Sequence, residues 1–153
     1  MMDFQVLIPE LAKWNNGKGI SVELWINGLG NFEHAIAYGR LFWPDFVEYD
    51  GCIFLSQYFD IENYNNWMKS TKGNKTAVEK VMNHRHIVDY FPNSPKPQPT
   101  KEQMVYFGNY LKELWDCKLK RDFPERNIVV EFFEGEDVVD DVYDFEILFY
   151  QNR

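Results

Sequence analysis

The amino-acid sequence predicts an α+β fold in which several amphipathic helices pack on a small, mostly antiparallel sheet. Three observations predict this class. An Asp-Gly pair at residues 50–51 separates two β-prone segments, which favours a type I′ hairpin over residues 46–55. Apolar residues recur at three- and four-residue spacing through residues 104–119, as in a long amphipathic helix. Residues 127–133 and 142–150 are rich in apolar, β-branched and aromatic side chains, and they predict two strands.

The first forty residues have helical patterns. Apolar side chains at three- and four-residue spacing predict a short helix over residues 4–16, although Pro9 inside it can mark the true helix start. Residues 21–40 favour a second helix, for which Ser21 is a suitable cap. Glycines weaken the middle of this second segment, so two shorter helices are the alternative.

Two more helices are predicted after the hairpin. Residues 60–72 open with an aspartate that can cap a helix. Thr76 and Glu79 have the spacing of a capping box, in which the side chain of each residue accepts the backbone N–H of the other. The helix that they open is predicted to run to about Phe91.

A proline-rich connector precedes the most regular helix. Four prolines between residues 92 and 99 impose an extended segment. Thr100 and Gln103 form a second capping box, and the helix behind it is predicted to end near Pro124. The hairpin and the two terminal strands are expected to share one sheet. The whole chain, residues 1–153, is predicted to be a single domain.

The net charge and the cysteines indicate which kind of partner and which cellular compartment to expect. The chain has 153 residues, 18% of them aromatic, and a formal net charge of −8. Phosphate backbones repel such a charge, so we expect no nucleic-acid partner, whereas basic proteins are attracted. Cys52 and Cys117 lie far apart and predict free thiols in a reducing compartment. We see neither a signal peptide nor a long apolar stretch, and therefore expect a cytoplasmic protein without membrane contact.

Acidic residues concentrate near the C-terminus and form the candidate partner-binding site. Strand alternation puts Asp144 and Glu146 on one face, and Glu131 of the neighbouring strand can join them. Like charges across strands cost up to about 1 kcal/mol per pair, which a cationic partner would relieve. A solvated surface that keeps the protein soluble is the alternative. The predicted site comprises Glu131, Glu134, Glu136, Asp137, Asp140, Asp141, Asp144 and Glu146.

The segment Asn83-His84-Arg85-His86 is the one that hints at catalysis. On a helix, residues two apart do not face each other, so His84 and His86 could not chelate one metal ion. The calcium spacing D-x-D-x-D-G is absent as well, and we expect no metal and no cofactor. A histidine that is half-buried and hydrogen-bonded in the core is the alternative to a functional one. Arg85 and Asp89, four residues apart, are expected to pair.

Residues 41–55, LFWPDFVEYDGCIFL, join an aromatic-rich run to the predicted turn. With its length, acidity, free thiols and lack of a catalytic motif, the chain resembles the cytoplasmic immunity proteins that bacteria keep against their own secreted toxins. The resemblance implies a cognate toxin domain as the partner, inhibited in a tight stoichiometric complex. The acidic group would steer association, and Tyr143 or Tyr150 would supply an aromatic anchor.

Two other functions are open. The chain could be a small hydrolase-type enzyme that uses His84 or His86 as general base, with a carboxylate such as Asp89 or Asp60 nearby. It could also be a structural subunit whose exposed aromatic residues form a homo-oligomer. A histidine within hydrogen-bond reach of a carboxylate would favour the first, and concentration-dependent sedimentation the second.

Overall fold

The computed structural model describes residues 3–93, 98–135 and 144–153, and it has the predicted α+β fold. The chain divides into two compact units, residues 1–41 and 42–153. The prediction of a single domain stays a prediction, because compactness alone does not say whether the two units fold independently.

The first unit has short helices in place of the one helix predicted over residues 4–16. Pro9 begins a 3₁₀ turn, and Asn15 and Asn16 have φ angles of 56° and 55°, so no continuous helix forms. Further along, the alternative with two shorter helices is the one found, and Ser21 caps the first of them by accepting the N–H of the third residue beyond it. The helices are α1 (Phe4–Leu7), α2 (Trp14–Gly17), α3 (Val22–Leu29) and α4 (Phe32–Phe42).

The predicted hairpin is confirmed. Strands β1 (Phe46–Tyr49) and β2 (Cys52–Leu55) pair antiparallel. Asp50 and Gly51 between them have φ angles of 50° and 73°, as a type I′ turn requires. Every residue of β2 is buried. Its inward side chains join a core cluster that comprises Cys52, Phe54, Tyr64, Val78 and Met82.

Two helices of the second unit begin at the predicted caps. The Asp60 carboxylate accepts a backbone N–H at the start of α5 (Ile61–Ser70). At the start of α7 (Lys101–Asp122), Thr100 and Gln103 make both hydrogen bonds of the predicted capping box. Among the described residues, none of the helices is both long and apolar enough for a membrane crossing.

The helix predicted from Thr76 to Phe91 is wrong at both ends. Helix α6 (Lys75–Met82) is capped by Asn74, and the Thr76 hydroxyl instead donates to the carbonyl of Gln151. The helix stops at Asn83, which is fully buried. Beyond it follow strand β3 (Arg85–His86) and a 3₁₀ turn over Ile87–Tyr90.

The two predicted C-terminal strands form a second sheet. Strands β4 (Ile128–Phe133) and β5 (Glu146–Gln151) pair antiparallel, and the order in the sheet is β3-β5-β4. Helix α7 packs on one face, where the Trp115 and Phe149 ring centroids lie 6.2 Å apart. Gly108 lets the helix approach the sheet closely, since a Cβ there would come within 2.1 Å of the Phe132 ring.

The hairpin and the terminal strands do not share one sheet, and α6 provides the reason. Glu79 of α6 accepts the backbone N–H of Ile53 in β2 and of Gln151 in β5, each at 2.9 Å. The Asn83 side chain accepts the N–H of Leu55 at 3.2 Å and donates to the carbonyl of Phe149 at 3.2 Å. These two side chains take the edge hydrogen bonds that direct strand pairing would have used.

Candidate functional site

The face of β4 and β5 opposite α7 carries acidic and aromatic side chains around the buried Leu148. The register pairs Phe133 with Glu146 and Glu131 with Leu148. Paired residues of an antiparallel sheet project to the same side, so Glu131 and Glu146 share this face. We call the face formed by Glu131, Phe133, Glu146 and Tyr150, with Glu134 and Asp144 at its end, the acidic face.

The structure places the four predicted acidic residues that it describes on, or directly beside, β4 and β5. Glu131 lies on β4 and accepts the Tyr150 hydroxyl at 3.0 Å. Glu134 is exposed directly after β4, and Asp144 lies shortly before β5 next to Gly135. Glu146 is the first residue of β5. The other predicted site residues, Glu136, Asp137, Asp140 and Asp141, lie outside the described residues, as does the predicted anchor Tyr143.

Two aromatic side chains on the acidic face differ in how they are held. Phe133 is 45% exposed, beside Glu134 in sequence and opposite Glu146 in the register. Tyr150, the other predicted anchor, is already engaged within the chain. Its hydroxyl bonds Glu131, and the Lys80 ammonium lies 4.0 Å from its ring centroid. Phe133 is therefore the aromatic side chain with more surface to offer a partner.

Two histidines meet the carboxylate of Glu146 at the end of the acidic face. His84 Nε2 lies 3.1 Å from one carboxylate oxygen, and His86 Nδ1 lies 3.4 Å from the other. The two imidazole centroids are 4.8 Å apart, with the rings nearly perpendicular. All three side chains are about one-third exposed, at 30%, 34% and 33% respectively. We call these three residues the histidine–glutamate cluster.

Strand pairing explains how the cluster forms. β3 pairs with β5 so that His86 lies opposite Glu146. His84 lies two residues earlier, and in an extended chain such neighbours project to the same side. The helical geometry from which we predicted that the two histidines cannot share one metal ion does not apply, because α6 has already ended.

Arg85 projects away from the cluster and does not make the predicted helical pair with Asp89. Its guanidinium lies over the Tyr58 ring, 4.0 Å from the centroid, and donates to the His84 carbonyl at 2.5 Å. Burial lowers the pKa of Arg85 and raises that of Tyr90. This side of β3 is thus a packed aromatic–cationic contact, whereas the opposite side carries the two imidazoles.

The two cysteines differ in burial. Cys52 is fully buried, and burial raises the pKa of its thiol, which disfavours the nucleophilic thiolate. Cys117 lies on α7 and is exposed. Both thiols are free.

A protein-family model matches residues 36–145 of the chain. The chain belongs to the uncharacterized protein PM0498 family. The matched residues include the hairpin, α5 to α7, β3 and β4, and so take in both histidines of the cluster. No curated protein and no solved structure matches the chain.

In this PM0498-family chain, the sequence reasoning missed the contact between the histidines and Glu146. The signal was present, because His-x-His is the spacing that places two side chains on one side of a strand. We assigned the segment to a helix, for which the same spacing separates them. The exposed Phe133 was also missed, since a strand pattern marks aromatic residues as core without saying which lie at the open end of a sheet.

Proposed function

We propose that this member of the PM0498 family is an acidic protein-binding module that engages a cationic partner protein through the acidic face. The observation that carries the proposal is the half-exposed Phe133 at the end of β4, with Glu131 on the same face and with Glu134 and Asp144 in the segments next to that end of the sheet. A buried aromatic anchor inside a polar rim is a common arrangement in protein interfaces.

The charge of the whole chain supports the same kind of partner. A formal net charge of −8 gives the protein a negative electrostatic potential, to which the carboxylates of the acidic face contribute. Such a field accelerates the encounter with a basic surface and loses strength as salt screens it. Once the surfaces meet, the Phe133 ring would leave water against an apolar patch of the partner, which adds affinity that charge alone does not give.

The finer proposal is an immunity protein that inhibits a bacterial toxin in the cytoplasm. Its support is the class-level resemblance in length, acidity and free thiols, together with the aromatic stretch of residues 41–55. Inhibition by a stoichiometric complex needs no catalytic group on this chain. It needs a surface that covers the basic active site of the partner, and the acidic face has the charge for that task.

Association with the product of the gene immediately upstream tests the proposal. The association rate is measured by stopped-flow at several salt concentrations, for the wild type and for the triple variant Glu131→Lys, Glu134→Lys and Asp144→Lys. We expect the variant to associate at least tenfold more slowly at low salt and with a much flatter salt dependence.

The matched control reverses three exposed carboxylates elsewhere, Glu10, Glu62 and Glu113, and so changes the net charge equally. If both triple variants slow association to the same extent, the acidic face is not the interface. Phe133→Ala then probes the anchor, which should raise the dissociation rate with little effect on the association rate. Indifference to all of these changes would contradict the proposal.

One observation supports the enzyme alternative. His84 Nε2 lies 3.1 Å from an oxygen of the Glu146 carboxylate. A carboxylate that holds an imidazole is a familiar arrangement for a general base, although the carboxylate is Glu146 and not the predicted Asp60 or Asp89. Under this alternative, His84→Gln abolishes turnover of an ester or phosphoester substrate and leaves partner association unchanged. Under the binding proposal, no turnover is present to lose.

The homo-oligomer alternative stays a prediction. Exposed apolar side chains on α3 and α4, with Phe32 90% exposed and Ile36 73% exposed, are the surface that it would use. Sedimentation velocity over a hundredfold concentration range distinguishes a monomer from such an assembly.

A further inference from the structure

We propose that His84, His86 and Glu146 form a binding site for one zinc ion. The inference does not depend on the protein-binding proposal, because it concerns these three side chains and an ion rather than a partner protein. The ligand atoms of the three residues, two imidazole nitrogens and a carboxylate oxygen, all lie within 4.8 Å of one another.

The distances suit a small ion with directional ligands. Zinc binds imidazole nitrogen and carboxylate oxygen at about 2.0–2.2 Å, so the ligand atoms of a tetrahedral site lie about 3.3 Å apart. In the cluster, His84 Nε2 lies 3.1 Å from one oxygen of the Glu146 carboxylate, and His86 Nδ1 lies 3.4 Å from the other oxygen. One ligand atom from each residue lies within 4.8 Å of the other two, so the widest separation must shorten by at most about 1.5 Å for all three to reach one ion.

The backbone that carries the histidines is fixed on both sides. Asn83, immediately before His84, is fully buried and donates to the Ile53 carbonyl at 2.8 Å. Ile87, immediately after His86, is buried and donates its N–H to the Phe145 carbonyl at 2.8 Å. A site whose ligands are positioned by rigid elements loses little entropy when the metal binds.

The donor set selects the class of ion. Calcium and magnesium prefer oxygen ligands, and two imidazoles are poor ligands for them. Two histidines and a carboxylate with an open position are typical of zinc, and also of other divalent first-row metals. Since all three side chains are about one-third exposed, the remaining coordination position would face solvent and hold a water molecule.

Zinc bound here would also act on the fold. β3 is only two residues long, and it joins the sheet through its register with Ile147 and Glu146. An ion held by His86 of β3, by His84 just before that strand and by Glu146 of β5 would link β3 directly to β5. Its two positive charges would also more than offset the negative charge that Glu146 adds to the acidic face.

Titration of zinc chloride into the full chain, with a chromophoric chelator as competitor, tests the site. We expect one zinc ion per chain with a micromolar or lower Kd. His84→Gln, His86→Gln and Glu146→Gln should each weaken binding at least tenfold, because each removes one direct zinc ligand. Magnesium chloride at the same concentrations should not bind.

His34→Gln is the matched control, since it removes the third and last histidine of the chain, which is exposed on α4. Cys117→Ser removes the exposed thiol as a competing ligand. Both controls should bind zinc like the wild type. Equal zinc affinity in His84→Gln and the wild type would overturn the proposal, as would equal losses in His84→Gln and His34→Gln, or no zinc binding at all.

A second measurement uses only the wild-type chain, so its result does not depend on whether a variant folds. Hydrogen exchange of the wild-type chain, with and without zinc, measures the exchange rate of the Ile87 amide, which donates a hydrogen bond to the Phe145 carbonyl. Zinc should slow exchange at this amide at least tenfold and leave amides of α5 unchanged. An unchanged rate at Ile87 in the presence of bound zinc would place the ion elsewhere and contradict the proposal.

Discussion

Asp50 has two roles at the hairpin turn, and its side chain makes the second one sensitive to pH. Its backbone takes the positive φ that the turn requires, while its carboxylate accepts the Tyr64 hydroxyl at 2.7 Å. The Lys75 ammonium lies 3.1 Å from the same carboxylate. These contacts favour the charged form and lower the pKa of Asp50, with the Tyr64 hydrogen bond as the largest cause.

The lowered pKa of Asp50 predicts a pH-dependent part of the stability. A carboxyl group whose pKa is lower in the folded state stabilises that state above its unfolded pKa, about 3.9 for aspartate, and loses this effect as the pH falls through the folded value. Asp50→Asn keeps a residue that tolerates positive φ and removes only the charge. We expect the variant to be less stable than the wild type at pH 7.

The same comparison at lower pH completes the test. Urea unfolding of the wild type and of Asp50→Asn should show a stability difference that is constant above about pH 5 and shrinks below about pH 4. Glu113→Gln, which removes an exposed carboxylate of α7, is the control for the loss of one negative charge. A stability difference for Asp50→Asn that stays constant down to pH 2 would show that the charge of Asp50 is not what stabilises the fold.

At the scale of elements, the sequence predicts best those features that depend on residues close together in the chain. The caps Ser21, Asp60 and Thr100 were identified correctly, because an N-cap bonds a backbone N–H only two or three residues away. The hairpin turn at Asp50 and Gly51 was predicted for the same reason, since its φ angles depend on those two residues alone.

The ends of helix α6 are set by contacts with residues that are distant in sequence. Thr76 and Glu79 have the spacing of a capping box, but in the fold both side chains turn to the distant residue Gln151. Asn83 likewise bonds Leu55 and Phe149, and so ends a helix that the apolar pattern would continue. The sequence contains these residues without saying which strands will lie beside them, and the histidine–glutamate cluster was missed for that reason.

Glu79 is the residue that makes α6 a spacer between the two sheets, and it supplies a test of that role. It is fully buried and accepts hydrogen bonds from Ile53, Gln151 and Arg153. Glu79→Gln keeps the shape, but its amide group brings a donor to a site where every partner donates. We expect a loss of about 2–4 kcal/mol in the free energy of unfolding.

Urea unfolding at pH 7 measures that loss, with Glu113→Gln as the control that changes the same functional group on an exposed helix face. The control should change the unfolding free energy by no more than about 0.5 kcal/mol. If the two variants were equally stable, the hydrogen bonds of Glu79 would not be what joins α6 to β2 and β5.

At the scale of the whole molecule, buried side chains are distributed unevenly between the two units. The described part of residues 1–41 has two core residues, Leu7 and Leu11. Residues 42–153 contain the hairpin, α7 and both sheets, and their largest fully buried side chains are Trp115, Phe54 and Phe149. Segments of about 40 residues seldom bury enough apolar surface to fold alone, whereas segments of about 100 residues often do.

This distribution predicts that residues 42–153 fold without the first unit. A chain shortened to these residues should unfold cooperatively on heating and keep the near-ultraviolet circular dichroism of its buried aromatic residues. The isolated segment 1–41 should show no cooperative transition. A chain of residues 1–122 is the control, because it keeps all the helices but loses β4 and β5, and it should not fold. If residues 42–153 lost their cooperative transition while the full chain showed a single one, the prediction of a single domain would be correct, and the two compact units would be parts of one cooperative structure.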